Sequence, residues 1–161
     1  MYQNGEPAFD AQRDQEYTRE LARSIADAFH RDTVIKPTHL VSYSMLDWLW
    51  EKSPGMDFYR VLRTGGTEES IPMTEAYERV DRILGTLRDL EQDNSVRLDD
   101  SLRRKDTGAI VGEALAHLKS YHRRPALLRR GDRLFHEDRN LLLYYHNRLT
   151  GFGLPTWEKP Q

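Results

Sequence analysis

Histidine is the side chain best suited to move a proton or hold a metal near neutral pH, and this chain has six, His30, His39, His117, His122, His136 and His146. Their spacing speaks against a metal centre. On a helix two ligands must stand three or four residues apart, whereas His117 and His122 are five apart and point away from a common ion. The sequence has no cysteine, which removes thiolate nucleophiles, disulfides and Cys-based zinc or iron–sulfur sites. No G-x-S-x-G elbow, H-E-x-x-H pair, P-loop or G-x-G-x-x-G turn occurs, so the hydrolase, zincin and nucleotide-binding readings lose their usual support. The 26 acidic residues offer so many arbitrary pairs that none marks an acid and a base. No catalytic, cofactor-binding or metal-ligating residue is assigned.

The arginines are more informative. The net charge is −2, but the segment from His117 to Arg133 carries Lys119, Arg123, Arg124, Arg129, Arg130 and Arg133 against Asp132 alone, a net +5 that leaves −7 for the remainder. Such a cluster can meet anionic lipid, nucleic-acid phosphate or an acidic protein surface, and these six residues are the candidate anion- or membrane-facing site. The plainer alternative is a solvated face whose arginines pair with neighbouring acids. Arg130-Gly131-Asp132 spells a cell-adhesion tripeptide, yet Gly-Asp is what a two-residue hairpin turn requires. Trp48 and Trp50 could anchor at a membrane interface; two residues apart on a helix they point in different directions, so at least one is expected in the core.

These side chains need elements to hold them. From 14 to 29, Tyr17, Leu21, Ile25 and Ala28 or Phe29 recur at helical spacing. Pro37 breaks any preceding helix and Thr38 is a candidate N-cap for a helix whose Leu40–Trp50 stretch is apolar on nearly all sides, as a central core helix or one pressed on a partner would be. A short helix is expected over 57–62. Thr74 is a candidate cap for a longer one, with a stripe of Tyr77, Val80, Ile83, Leu84, Leu87 and Leu90 and a stop at Asn94. A brief strand over 95–98 leads to a helix over 107–121, with Ile110, Val111, Ala114, Leu115, Leu118 and Tyr121 inward and Gly108 and Gly112 permitting a close approach. Residues 126–136 read as a β-hairpin turning at Gly131-Asp132, with Leu128 opposite Phe135 and with Leu127 and Leu134 on the other face. Asp138 can cap a last helix that Gly151 ends.

The expected fold is therefore mainly α with one small β-hairpin, a winged-helix-like helical domain. Its expected divisions are an extended N-terminal segment over 1–13, one domain over 14–155 and a C-terminal tail over 156–161. Three Trp, eight Tyr and five Phe in 161 residues suit a folded core. The opening Met1-Tyr2-Gln3-Asn4-Gly5-Glu6-Pro7 lacks the basic and then apolar pattern of a secretory signal. The longest strictly apolar run, Leu141 to Tyr145, falls far short of the roughly 20 residues that span a bilayer. A cytoplasmic location, with contact at the inner face of the membrane through the basic segment, is the expectation.

Three stretches carry a family resemblance. Arg31-Asp32-Thr33-Val34-Ile35-Lys36-Pro37-Thr38-His39-Leu40-Val41 resembles the segment that resumes after the acyltransferase domain in bacterial glycerol-3-phosphate and 1-acyl-glycerol-3-phosphate acyltransferases. Leu142-Leu143-Tyr144-Tyr145-His146-Asn147-Arg148-Leu149 resembles the Tyr-Tyr-x-Asn-x-Leu/Ile helix near the end of those proteins. Between them, Ile71 to Leu98 matches in pattern only. The resemblance implies the C-terminal accessory region of a phospholipid-biosynthesis enzyme, a portion of a longer chain or an independent protein sharing that portion. Its implied partner is the acyltransferase catalytic domain, on which the exposed part of the Leu40–Trp50 helix would pack.

The same resemblance shows what this sequence lacks. Those enzymes activate the acceptor hydroxyl with an H-x-x-x-x-D pair. Five residues after His30, His39, His117, His122, His136 and His146 stand Ile35, Ser44, His122, Leu127, Leu141 and Gly151, so no catalytic residue carries over. The rival reading is a nucleic-acid-binding or protein-interaction domain of winged-helix type, with the hairpin as wing. Glu75, Glu78, Asp81, Asp89, Glu91 and Asp93 on the long helix would repel phosphates and disfavour nucleic acid.

Overall fold

The computed structural model describes residues 10–154 together with the backbone of two short N-terminal strands. The expected tail over 156–161 lies outside the described residues. Sixty-five per cent of residues 10–154 are helical, and a three-stranded antiparallel sheet accompanies seven α-helices among the described residues. Backbone contacts divide the chain into one unit over Met1–Thr33 and another over Val34–Gln161.

In the first unit, β1 (Tyr2–Gln3) pairs antiparallel with β2 (Glu6–Pro7), and α1 spans Ala11–Asp32. This helix begins before residue 14 because Asp10 caps it, its carboxylate accepting the N–H groups of Gln12 and Arg13 at 3.1 and 3.2 Å. No residue of α1 is buried.

The second unit opens with β3 (Val34–Ile35), parallel to β5 (Arg97–Leu98). Helix α2 (Pro37–Glu51) follows. Pro37 takes its first position, where a missing N–H has no intrahelical partner to lose, and the Lys36 N–H is met by His39 Nδ1 at 3.3 Å. Thr38 is thus inside the helix and does not cap it. Eleven of the fifteen residues of α2 are buried, so the all-round apolar pattern reflects a central core helix with no apolar face left for a partner.

Around α2 pack α4 (Met73–Gln92), α6 (Thr107–Ser120) and α7 (Arg139–His146), the last most extensively. The stripe of α4 turns inward as expected, with Val80, Ile83, Leu84 and Leu87 buried and Tyr77 and Leu90 half-covered. Thr74 does not cap it. The helix starts at Met73, directly after Pro72, and the hairpin turn supplies an acceptor instead, the carbonyl of Asp132 taking the Met73 N–H at 2.7 Å. Asn94 stops the chain beyond it in a left-handed conformation, φ 57°.

Short helices fill the connections. Asp57 caps α3 (Phe58–Thr64) through the Arg60 N–H at 2.9 Å, and Asp99 caps α5 (Asp100–Arg104), an element the sequence pattern did not disclose. Asp106 caps α6 and Asp138 caps α7. Ile110, Val111, Ala114 and Leu118 face inward from α6, whereas Tyr121 lies past its end and is 78% exposed. Gly108 and Gly112 admit no close neighbour. A Cβ at Gly112 would meet nothing within 4 Å, and one at Gly108 only its own capping carboxylate.

The hairpin forms as β6 (Leu127–Arg130) and β7 (Arg133–His136), with Leu128 opposite Phe135 and Gly131 at φ 63° in the turn. A third strand, β4 (Ser70–Pro72), joins the far edge of β7, giving the order β4-β7-β6. Ile71, Leu134 and Leu127 form the buried face of this sheet. Phe135 lies on the opposite face, half-buried beneath the Arg130 guanidinium 4.9 Å from its ring centre. The winged-helix-like label describes the order of helices and hairpin alone.

Candidate functional site

The hairpin and the chain leading into it carry all six residues of the basic segment, and the structure divides them into two groups. Lys119 at the end of α6 and Arg123 and Arg124 in the connection to β6 are exposed and form no ion pair among the described residues. Arg129 is exposed too, its Nε bonding the carbonyl of Gly131 at 3.0 Å across its own turn. Arg130 and Arg133 are engaged locally. Arg130 pairs with Glu137 at 3.0 Å, while Arg133 donates to the Ser70 hydroxyl and carbonyl at 2.8 and 2.7 Å and so ties β7 to β4. Four cations remain to present an outward field.

Beside the hairpin lies a polar cleft of about 480 Å³ between the turn after α3 and the start of α7. Arg139 forms one wall, donating to the carbonyls of Leu62 and Arg63 at 2.6 and 3.0 Å and thereby holding the C-terminal end of α3. Gly65 and Gly66 turn the chain there at φ 88° and 68°, and a Cβ on Gly66 would collide with the Ser53 hydroxyl. His136 Nε2 bonds the carbonyl of Glu68 at 2.7 Å, which places the ring proton on that nitrogen. The lining also holds Glu69 and Glu137, so its charge is balanced.

Sequence reasoning missed a buried ion cluster between α2 and α4. The Arg79 side chain is only 7% exposed and reaches three carboxylates, Asp47 at 3.4 Å, Glu75 at 3.8 Å and Glu51 in a short contact. The Trp48 indole N–H donates to Glu75 at 3.0 Å. Burial raises the Asp47 carboxyl above its ordinary pKa despite Arg79, whereas the hydrogen bond from Arg79 lowers that of the more exposed Glu51. The available signal was Glu75 and Arg79 at i,i+4 on a helix whose inner stripe position 79 borders. Trp48 is buried, as one of the two indoles was expected to be, and Trp50 is half-covered against Phe58.

The seam between α2 and α7 gathers histidine and tyrosine side chains. The His146 ring stacks on Tyr43 with centres 4.7 Å apart, and Tyr145 lies 6.2 Å from His39 and bonds His122 Nε2 at 2.8 Å. Burial, with the nearby charges of Arg148 and Lys36, lowers the His39 pKa to about 4, and burial also lowers that of His146. Burial raises the Tyr43 phenol to about 12, helped by Asp47. These neutral rings pack and stack. None of His39, His117, His122 and His136 is hydrogen-bonded to a carboxylate, the arrangement a histidine general base requires. Among the described residues no three His, Asp or Glu side chains converge as a metal site would demand. No protein-family model, curated protein or solved structure matches the chain.

Proposed function

We propose that this chain is a non-catalytic accessory domain of a bacterial glycerol-phosphate acyltransferase, supporting a separate catalytic domain at the cytoplasmic face of the membrane. The observation that carries the reading is spatial. Arg31–Val41 and Leu142–Leu149, the two stretches that resemble those enzymes, lie far apart in the sequence, yet α2, which the first enters, packs most closely against α7, which the second includes, and His39 of the first lies 6.2 Å from Tyr145 of the second, ring centre to ring centre. A resemblance arising by chance would have no reason to fall on two halves of one packed seam.

The role is support because the sequence has no H-x-x-x-x-D pair and none of His39, His117, His122 and His136 is hydrogen-bonded to the carboxylate that acyl transfer to a hydroxyl needs. The docking face is not α2, which its own domain covers. Membrane contact is assigned to Lys119, Arg123, Arg124 and Arg129, the four cations of the basic segment not engaged with acids or strand β4. No helix among the described residues is long and apolar enough to cross a bilayer, so that contact is with the surface.

The test is to mix the chain with an acyltransferase catalytic domain that contains H-x-x-x-x-D and lacks its own C-terminal region. Co-elution and a gain in thiol release from acyl thioester in the presence of glycerol 3-phosphate are expected. Separate elution with unchanged turnover would refute the reading.

The nucleic-acid alternative keeps one observation in its favour, the third strand beside a cationic hairpin. Against it, α6 turns Gly108, Ala109, Gly112 and Ala116 outward and so offers few side chains able to read a base. Glu78, Asp81 and Asp89 are also exposed on α4, and Asp93 is exposed at its C-terminal cap.

A further inference from the structure

We infer that α1 is a self-association helix, which pairs antiparallel with α1 of a second copy of this chain through Tyr17, Leu21, Ile25 and Phe29. These four residues are 61, 62, 47 and 70% exposed, and they are four of the seven large apolar side chains exposed among the described residues. They stand every fourth residue, so they form one continuous ridge along a helix of 22 residues, about 33 Å long. Exposed apolar surface concentrated in this way marks a binding face.

Three features choose a second copy as the occupant. The first is symmetry. A two-fold interface must be complementary to itself, and the ridge is palindromic in size about Arg23, with Leu21 and Ile25 two residues to either side and Tyr17 and Phe29 six. Antiparallel helices crossing there set Leu21 against the partner's Ile25 and Tyr17 against the partner's Phe29. Ridges at this four-residue spacing interdigitate when two helices cross at about −50°.

The second is area. The exposed fractions of the four side chains amount to about 500 Å² per copy and about 1,000 Å² for a pair, the lower edge of a specific interface, so the dimer is concentration-dependent. The third is charge. Helix α1 holds Arg13, Arg19, Arg23 and Arg31 against Asp14, Glu16, Glu20, Asp27 and Asp32, nearly balanced and slightly acidic. Two copies meet without strong repulsion, whereas an anionic bilayer would gain nothing from this helix. The inference concerns a different surface from the function proposed above and stands without it.

Sedimentation equilibrium of the whole chain from about 5 to 300 μM, a range bracketing weak interfaces of this size, tests it. A reversible monomer–dimer equilibrium is expected, and Leu21→Glu and Ile25→Glu should each raise the dissociation constant at least about tenfold while leaving the helical signal unchanged. Orientation is read by mixing Tyr17→Cys and Phe29→Cys chains, whose introduced thiols are the only ones present. Mixed disulfides outnumbering like pairs are expected. A chain monomeric throughout, a dimer indifferent to both Glu substitutions, or like pairs in excess would overturn the inference. So would monomers that float with anionic vesicles through the same four residues.

Discussion

At the residue scale the clearest consequence is acid lability. His39 is neutral in the folded chain, with a pKa lowered from 6.5 to about 4, and His146 shifts in the same direction. Unfolding lets such rings take up protons, so the stability they contribute is complete above about pH 6.5 and drains away as the pH falls toward 4. For His39 the loss is below about 3 kcal/mol, because the ring is partly exposed and solvent screens it. Urea midpoints should fall between pH 7 and 4.5, and His39→Gln, which keeps an acceptor near the Lys36 N–H, should flatten the profile. An identical slope in the variant would show that His39 is not responsible. Arg79 makes a second case. Arg79→Ala should cost about 2–3 kcal/mol, less than a fully buried pair would, because Glu51 and Glu75 can turn to water. The Asp47 carboxyl should then titrate still higher, which side-chain NMR can follow.

At the element scale, what the sequence disclosed followed from how each element is stabilised. Helices that bury one stripe, such as α4 and α6, or every side, such as α2, leave periodicity in the sequence. Hairpin and last helix were legible because Gly131-Asp132 and Asp138 have defined local chemistry. Strand β4 was not legible, since Ser70-Ile71-Pro72 is too short to alternate and exists because β7 offers it an edge and Arg133 grips Ser70. Thr38 and Thr74 looked like caps by type, but Pro37 and Pro72 set where the helices begin. The buried Arg79 cluster was hidden because two of its three carboxylates, Asp47 and Glu51, come from another helix. The sheet faces yield a discriminating pair of substitutions. Leu134→Ala, on the buried face, should cost about 2–5 kcal/mol. Phe135→Ala, on the face covered by Arg130, should cost less than half as much by the same denaturation measurement. Equal losses would place the register wrongly.

At the scale of the whole molecule, charge and catalysis decide the account. Lys119, Arg123, Arg124 and Arg129 should hold the chain to vesicles of anionic lipid at low salt, each contributing about 1 kcal/mol near the surface. The attraction should weaken as the Debye length contracts to about 10 Å at 0.1 M salt. Equal flotation with neutral and anionic lipid would remove the membrane role, and stronger retention on duplex DNA than on anionic vesicles would favour the nucleic-acid reading. On the proposed reading this fold supports acyl transfer without performing it, and thiol release separates the two roles. Incubated alone with acyl thioester and either glycerol 3-phosphate or its 1-acyl derivative, the chain should release no thiol above background; turnover that depends on the protein and disappears on substitution of a single histidine would contradict the account.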